Sequence, residues 1–227
     1  MTTNIDNSAS ESAAEKIKDA ALRLFSSKGI DAVTVREIVS EAGVKNNASL
    51  HYYFGSKEAL VDKLILECAH HSDSARIEML DKMEAAGGPH SVSDIVRLIL
   101  DVEISPREPS QSKSMASGFG HMRFVMRLQI NHRRAFMQAM AGHKNSGYMR
   151  CIEHINTLLP TVSKAVLNQR LIFLDLFFGA ALAAREAAFE QNPTGGKLWG
   201  NSDTIDNLIH SLTSMLEASD FDASKTD

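Results

Sequence analysis

Apolar residues recur along this chain at the three- and four-residue spacing of amphipathic α-helices, and no stretch alternates as a β-strand does. Ser12 and Thr34 each begin a capping box with a glutamate three residues later, and Gly29 and Gly43 lie where the first two helices should end. The pattern predicts helices over about residues 12–28, 34–42, 47–53, 56–84, 91–104, 115–130, 132–141, 146–159, 163–191 and 203–218. The sequence therefore predicts an all-α fold.

Residues 34–60 predict a helix-turn-helix, in which the second helix enters the major groove of DNA. The outer face of that helix is polar and aromatic. Asparagine makes paired hydrogen bonds to adenine, and Ser, His and Tyr reach bases or phosphates. The candidate DNA contacts on this face are Asn46, Asn47, Ser49, His51 and Tyr52.

The N-termini of the second and fourth helices, capped by Thr34 and Ser56, can direct backbone N–H groups at phosphates. Lys57 adds a positive charge there, and Arg36 and Lys45 are further candidates by charge. The alternative is that Tyr52 and Tyr53 only pack and that the asparagines only turn the chain.

Charge is unevenly distributed along the 227 residues, whose formal net charge is −4. Between residues 12 and 60 basic residues slightly outnumber acidic ones, so only one surface is suited to phosphates. The polar segment 1–11 is not a signal peptide and is predicted to be a disordered leader, with a flexible tail at 219–227. Cys68 and Cys151 are expected to be buried thiols in a reducing compartment, which favours a cytoplasmic protein.

The helix-turn-helix resembles the tetracycline-repressor (TetR/AcrR) family of bacterial transcriptional regulators over about residues 14–66. The resemblance lies in Phe25, Gly29, Thr34, Ile38, Ala42, Gly43, Val44, Tyr53, Phe54, Ser56, Lys57, Glu58, Ala59 and Leu60. It implies phosphate contacts at Thr34 and Lys57, a recognition helix starting near Ala48 and Ser49, and contacts from His51 and Tyr52. The spacing from Val44 to Tyr53 is one residue longer than in the family, which shifts the base-contacting positions.

A second apolar segment, residues 171–182, is hydrophobic on all sides of its predicted helix and therefore needs cover on all sides. A partner subunit would cover the half that the chain itself does not, and the resemblance also implies a four-helix dimer interface. The alternative is a core within a single chain. The predicted interface residues are Leu171, Leu174, Phe178, Leu182, Leu208, Leu212 and Met215.

The middle of the chain is rich in methionine and aromatic residues, which suit irregular binding surfaces but more often form plain core. The resemblance implies a small-molecule pocket here. Its candidate lining residues are Met115, Phe119, Met122, Met126, Phe136, Met140, Tyr148, Phe173 and Phe177.

Two further features of this region have a structural and a functional interpretation. Asp175, alone in an apolar helix, is expected to be a buried hydrogen-bonded carboxyl rather than a pocket anchor. Histidines recur every eleven residues at His121, His132, His143 and His154, a spacing that coincidence explains better than a metal site or an anchor for an anionic ligand.

The chain contains no nucleophile elbow, phosphate loop or close pair of metal ligands, so we expect neither an enzyme nor a cofactor. The sequence predicts a homodimeric, ligand-responsive regulator, most simply a repressor, that binds a palindromic operator, is released by a small-molecule effector and has no membrane partner. Residues 12–56 would bind DNA and residues 57–218 would bind ligand and dimerise. The alternative is an interaction protein that keeps this fold without sequence-specific DNA binding.

Overall fold

The computed structural model describes residues 4–46, 48–104 and 120–219, and all regular structure in these ranges is helical. The predicted all-α fold is confirmed. The helices in these ranges are α1 (Asn4–Lys28), α2 (Val35–Glu41), α3 (Ala48–Phe54), α4 (Lys57–Ala85), α5 (Val92–Ile104), α6 (His121–Asn131), α7 (Arg133–Met140), α8 (Ser146–Leu158), α9 (Lys164–Gln191), α10 (Gly196–Trp199) and α11 (Asp203–Glu217). None of these helices is both long and apolar enough to cross a bilayer.

The chain divides into two compact units. The first contains Met1–Ala69 and Ser105–His143, and the second contains His70–Ile104 and Lys144–Asp227. This division differs from the predicted boundary at residue 56, because α6, α7 and the first part of α4 belong with the helix-turn-helix. The spacing of apolar residues could not indicate this arrangement. Helix α5, which lies between α4 and α6 in the chain, belongs to the second unit, and the chain returns to the first unit at α6.

Helix α1 begins at Asn4, well before the predicted capping box at Ser12. It therefore includes residues 4–11, for which the sequence predicted a disordered leader. The segment has no Gly or Pro, the two residues that interrupt helices most strongly. The other end is as predicted: Gly29 has a positive φ of 87°, and its N–H donates to the carbonyl of Phe25 over 3.0 Å.

The core of the first unit forms where α1 meets α2, α3, α4 and α6. Phe25 is fully buried and stacks on Phe124 of α6, with ring centroids 6.1 Å apart. Leu128 of α6 belongs to the same cluster, together with Ile38 of α2 and Leu50 of α3. These five helices thus share one hydrophobic core.

The second unit is built around α5, which packs against α8 and α11, while α9 also packs against α11. Arg170 of α9 is buried and its guanidinium donates to the carbonyls of Leu216 and Ala218 at 2.9 and 2.6 Å. These bonds close the C-terminus of α11, whose last carbonyls have no partner within the helix.

Helix α9 has one buried face and one exposed face, and the predicted dimer residues lie on the buried one. Leu171, Leu174, Phe178 and Leu182 are buried within the chain, as are Leu208 and Leu212 of α11, while Met215 is half-buried. The exposed face carries Ile172, Phe173, Leu176 and Phe177. The predicted interface residues are thus covered within the chain, while other apolar residues of α9 are exposed, because a helix that is apolar all round does not reveal which side faces inward.

The N-terminus of α8 is held by a buried carboxylate on α4. Asp73 is 4% exposed, and its Oδ1 accepts from the N–H groups of Gly147 and Tyr148 at 2.8 and 3.2 Å. The hydroxyl of Ser146 donates to Oδ2 over 3.2 Å. A carboxylate at a helix N-terminus satisfies N–H groups that would otherwise lack a partner and complements the helix dipole.

Other buried polar groups in the second unit pair with one another. Arg76 donates to Glu103 over 2.7 Å and lies over the ring of Tyr148, and Ser72 also donates to Glu103. The hydroxyl of Tyr148 donates to both oxygens of Asp175 at 2.8 Å. The hydrogen bonding expected of Asp175 is present, the carboxyl is half-buried, and this burial raises its pKa.

We expect Gly147→Ala to destabilise the protein, although Gly→Ala inside a helix usually stabilises by up to about 1 kcal/mol. A Cβ at this position would lie 2.9 Å from the backbone oxygen of Asp73 and 3.0 Å from Cβ of Arg76. Overpacking of this kind costs about 1–3 kcal/mol. Urea unfolding followed by circular dichroism measures the effect, and a midpoint at or above that of the wild type would contradict the close packing of α8 on α4.

Candidate nucleic-acid interface

The capping box predicted at the start of α2 is present. The N–H of Glu37 donates to Oγ1 of Thr34 over 3.2 Å, and the N–H of Thr34 donates to Oε2 of Glu37 over 2.8 Å. The backbone bond from Thr34, assisted by Lys28, lowers the pKa of Glu37 to about 2. Thr34 is thus held by hydrogen bonds at the helix N-terminus for which the sequence predicted a phosphate contact.

The turn between α2 and α3 is closed by backbone bonds. Gly43 has a positive φ of 64°, and the N–H of Val44 donates to the carbonyl of Val39 over 3.1 Å. Asn46 then caps α3, since its Oδ1 accepts from the N–H of Ala48 over 2.9 Å. Asn46 therefore stabilises the turn through its side-chain oxygen, which is the alternative role that the sequence left open for the asparagines. Asn47 lies outside the described residues.

Helix α3 has an inner face that packs and an outer face that is exposed. Leu50 is fully buried, and Tyr53 and Phe54 are half-buried against the same core. On the outer side Ala48 is exposed, Ser49 is half-exposed, and Tyr52 is 81% exposed. Tyr53 therefore packs, whereas Tyr52 projects outward, and the two tyrosines predicted together have different environments.

His51 is also exposed on α3, but one side of its ring is used locally. Its Nδ1 lies 2.8 Å from the carbonyl oxygen of Gly55, just past the end of the helix. With Nδ1 protonated, the ring donates to this carbonyl, which has no partner within α3. The opposite ring nitrogen then faces outward, so the residue both ends α3 and offers a polar atom on its exposed side.

Lys57 differs most from its predicted role. Its ammonium group donates to the carbonyls of Ile30 and Val33, each over 2.9 Å, across the loop between α1 and α2. The sequence placed this charge on a DNA phosphate, but the structure uses it to join the start of α4 to that loop. No sequence signal indicates the bond, since its partners are backbone atoms far away in the chain.

The remaining cations near α2 and α3 differ in whether they are paired. Arg23 lies 3.6 Å from Glu41 and Lys28 lies 3.0 Å from Glu37. Arg36 and Lys45 are exposed and have no charged partner among the described residues. These two are therefore the predicted cations that are available to phosphates.

The described residues of the predicted pocket are divided between the two units. Met122 and Met126 are buried in the first unit, and Phe136 and Met140 pack against its core. Tyr148 belongs to the second unit, where it binds Asp175, and Phe173 and Phe177 lie on the exposed face of α9. Met115 and Phe119 lie outside the described residues.

The periodic histidines have separate surroundings. Nε2 of His132 lies 3.2 Å from Asp31 in the first unit, and Nε2 of His154 lies 2.8 Å from Glu84 in the second. His121 is buried at the start of α6, and His143 follows α7. Within the described ranges no three potential metal ligands are grouped to hold an ion.

The three helices, the glycine turn and the exposed outer face of α3 define a helix-turn-helix of the DNA-binding class. Residues 17–64 match the family described as bacterial regulatory proteins, tetR family. Residues 17–64 therefore carry the DNA-binding domain of the tetR family.

Two curated relatives each match about a quarter of the chain. One is the HTH-type transcriptional repressor KstR2 of Rhodococcus jostii (strain RHA1), 37% identical over 60 residues, which are 26% of this chain and 29% of that protein. The other is IcaR of Staphylococcus aureus (strain Newman), the negative transcriptional regulator of the biofilm operon icaADBC. It is 39% identical over 54 residues, which are 24% of this chain and 28% of that protein. The matches thus span less than a third of either relative.

We expect Lys57→Met to lower the free energy of unfolding by about 1.5–3 kcal/mol, the usual contribution of hydrogen bonds to a charged group. Two carbonyls would lose their donor in the variant. Lys45→Met is the matched control, because Lys45 is exposed and unpaired, and it should change stability by less than about 0.5 kcal/mol. Equal unfolding midpoints for the two variants in urea would show that the bonds to Ile30 and Val33 do not stabilise the first unit.

Proposed function

We propose that the protein is a homodimeric transcriptional repressor that binds a palindromic operator through α2 and α3 and is released by a small-molecule effector. The observation that carries this proposal is the tetR-family helix-turn-helix with a polar, exposed outer face on α3. The two relatives named above are a repressor and a negative regulator, which supports the sign of the regulation.

Binding to DNA is supported by the groups that surround the exposed face of α3. Ser49 and Tyr52 project from the helix that would enter the major groove, and Lys45 lies just before it. Ser56 caps α4 by accepting from the N–H of Ala59 over 3.1 Å, so two ordered helix N-termini flank α3. N–H groups at such termini favour phosphate oxygens.

Dimerisation is supported by the exposed face of α9. Ile172, Phe173, Leu176 and Phe177 are between 43% and 59% exposed and recur at the spacing of one helical stripe. A stripe of four large apolar side chains is typical of a surface that another protein covers. A second copy of this chain is the partner we propose, because two recognition helices about 34–36 Å apart are needed to bind a palindrome.

Response to an effector is supported by the buried polar groups of the second unit. Among the described residues the hydroxyl of Tyr148 donates to the half-buried carboxyl of Asp175, so a ligand bearing a hydrogen-bond donor could take its place. Helix α4 carries Lys57 near one end and Asp73 and Arg76 further along. We infer that a ligand bound in the second unit acts on this helix and favours a spacing of the two recognition helices that does not fit the operator.

We expect Ser49→Ala and Tyr52→Ala each to weaken binding to the DNA upstream of the protein's own gene by roughly tenfold or more, as loss of a good base or backbone contact does. Fluorescence anisotropy against that DNA and against a random duplex measures affinity and preference. Ser211→Ala, an exposed change on α11, is the control. Equal wild-type affinity for the two DNAs would favour the interaction protein without sequence-specific binding.

We expect the double variant Phe173→Glu, Phe177→Glu to be a folded monomer, because both side chains are exposed in the single chain and the charges would repel across a dimer. Sedimentation velocity should give a dimer for the wild type and for the control Asn156→Glu on α8. A wild-type monomer, or a double variant that stays dimeric, would rule out this face as the interface.

A further inference from the structure

The first turn of α7 carries a basic surface that lies outside the helix-turn-helix and outside the dimer face proposed above. The chain has no Asp or Glu between residues 109 and 152, although its net charge is −4. Within the described part of this segment Arg133 and Arg134 begin α7, are exposed, and have no partner among the described residues. Two adjacent guanidinium groups without carboxylates are suited to an anionic partner.

This surface belongs to the DNA-binding unit, because α6, which directly precedes α7, is bonded to α1 and packs against it. Arg127 donates from Nε to the carbonyl of Ser26 over 3.0 Å and from Nη2 to that of Ser27 over 3.1 Å. The hydroxyl of Ser26 also donates to the carbonyl of Gly120, and Phe124 stacks on Phe25. Hydrogen bonds and core packing together fix α6 to the end of α1.

The start of α7 lies beside the loop between α1 and α2. Nε2 of His132 is 3.2 Å from Oδ2 of Asp31, and Asp31 precedes the helix cap Thr34 by three residues, a chain distance of about 10 Å. The ammonium group of Lys57 binds the carbonyls of Ile30 and Val33, on either side of Asp31. The N-termini of α2, α4 and α7 are thus grouped around one loop.

Most other cations of this neighbourhood are already occupied. Lys57 is bound to backbone carbonyls, Lys28 pairs with Glu37, and Arg127 caps α1. Arg36, in the first turn of α2, is exposed without a charged partner among the described residues, and Arg133 and Arg134 add positive charge beside the same loop.

We propose that Arg133 and Arg134 bind backbone phosphates of DNA beside the bases that α3 contacts. The inference rests on the proposed DNA-binding function and adds a second, sequence-independent contact surface to it. Contacts of this kind position the protein and raise its affinity without selecting bases.

The same face also has an apolar component, since Ile130 and Met137 are 69% and 54% exposed. An acidic protein with an amphipathic helix would fit such a surface. The observations favour DNA, because α7 begins next to the helix N-termini of the DNA-binding unit and its first two guanidinium groups are exposed. A protein partner remains an outcome that the experiment identifies.

The test is the salt dependence of binding to a random duplex of about three helical turns, since phosphate contacts need no operator. Each phosphate contact contributes about 0.9 to the slope of log K against log salt, so Arg133→Gln with Arg134→Gln should reduce the slope of a dimer by about 3 to 4. The Arg133→Lys, Arg134→Lys variant retains the charge and should keep the wild-type slope. Lys197→Gln controls for loss of an exposed charge from the second unit.

Both arginines are exposed, so the glutamine variant should unfold at the wild-type urea concentration, and this is checked first. A lowered slope in the glutamine variant with a retained slope in the lysine variant supports the inference. An unchanged slope in the glutamine variant overturns it and indicates a face for another partner, such as an acidic protein. Failure of the wild type to bind either the random duplex or its upstream DNA would instead overturn the proposed function.

Discussion

The DNA-binding unit depends on one constraint, which is that α2 and α3 have seven residues each and cannot be stable alone. Their stability must come from a shared core and from groups that satisfy their ends. The core joins Ile38 and Leu50 to Phe25 of α1 and to Phe124 of α6. The ends are satisfied by Thr34 and Asn46 at the starts and by His51 at the close of α3.

This constraint explains why some polar residues of the unit stabilise its fold while others stay exposed. The Lys57 ammonium group donates to two carbonyls of the loop before α2, and these bonds join that loop to the start of α4. The exposed side chains that the short helices do not use, among them Tyr52, Arg36 and Lys45, are those we propose for DNA. The tetR-family domain over residues 17–64 thus determines how the helices are arranged more closely than it determines which side chains would contact DNA.

The spacing of apolar residues predicted most of the helices, because the signals that define a helix lie close together in the chain. The capping box at Thr34 and the glycine end of α1 are local signals, and both were confirmed. Long-range choices were not predictable from the pattern. Leu174 and Phe177 are equally apolar, yet only packing decides that the first is buried and the second exposed. The carbonyl partners of Lys57, and the attachment of α6 to α1, leave no trace in the spacing of side chains.

The central claim is that two copies of the helix-turn-helix bind one operator. Hydroxyl-radical footprinting of the wild-type protein on the DNA upstream of its own gene tests it most directly. Two protected patches on one side of the duplex, with centres about 10–10.5 base pairs or a multiple of that apart, are the predicted result. A single protected patch, or uniform protection without a preferred position, would contradict the account.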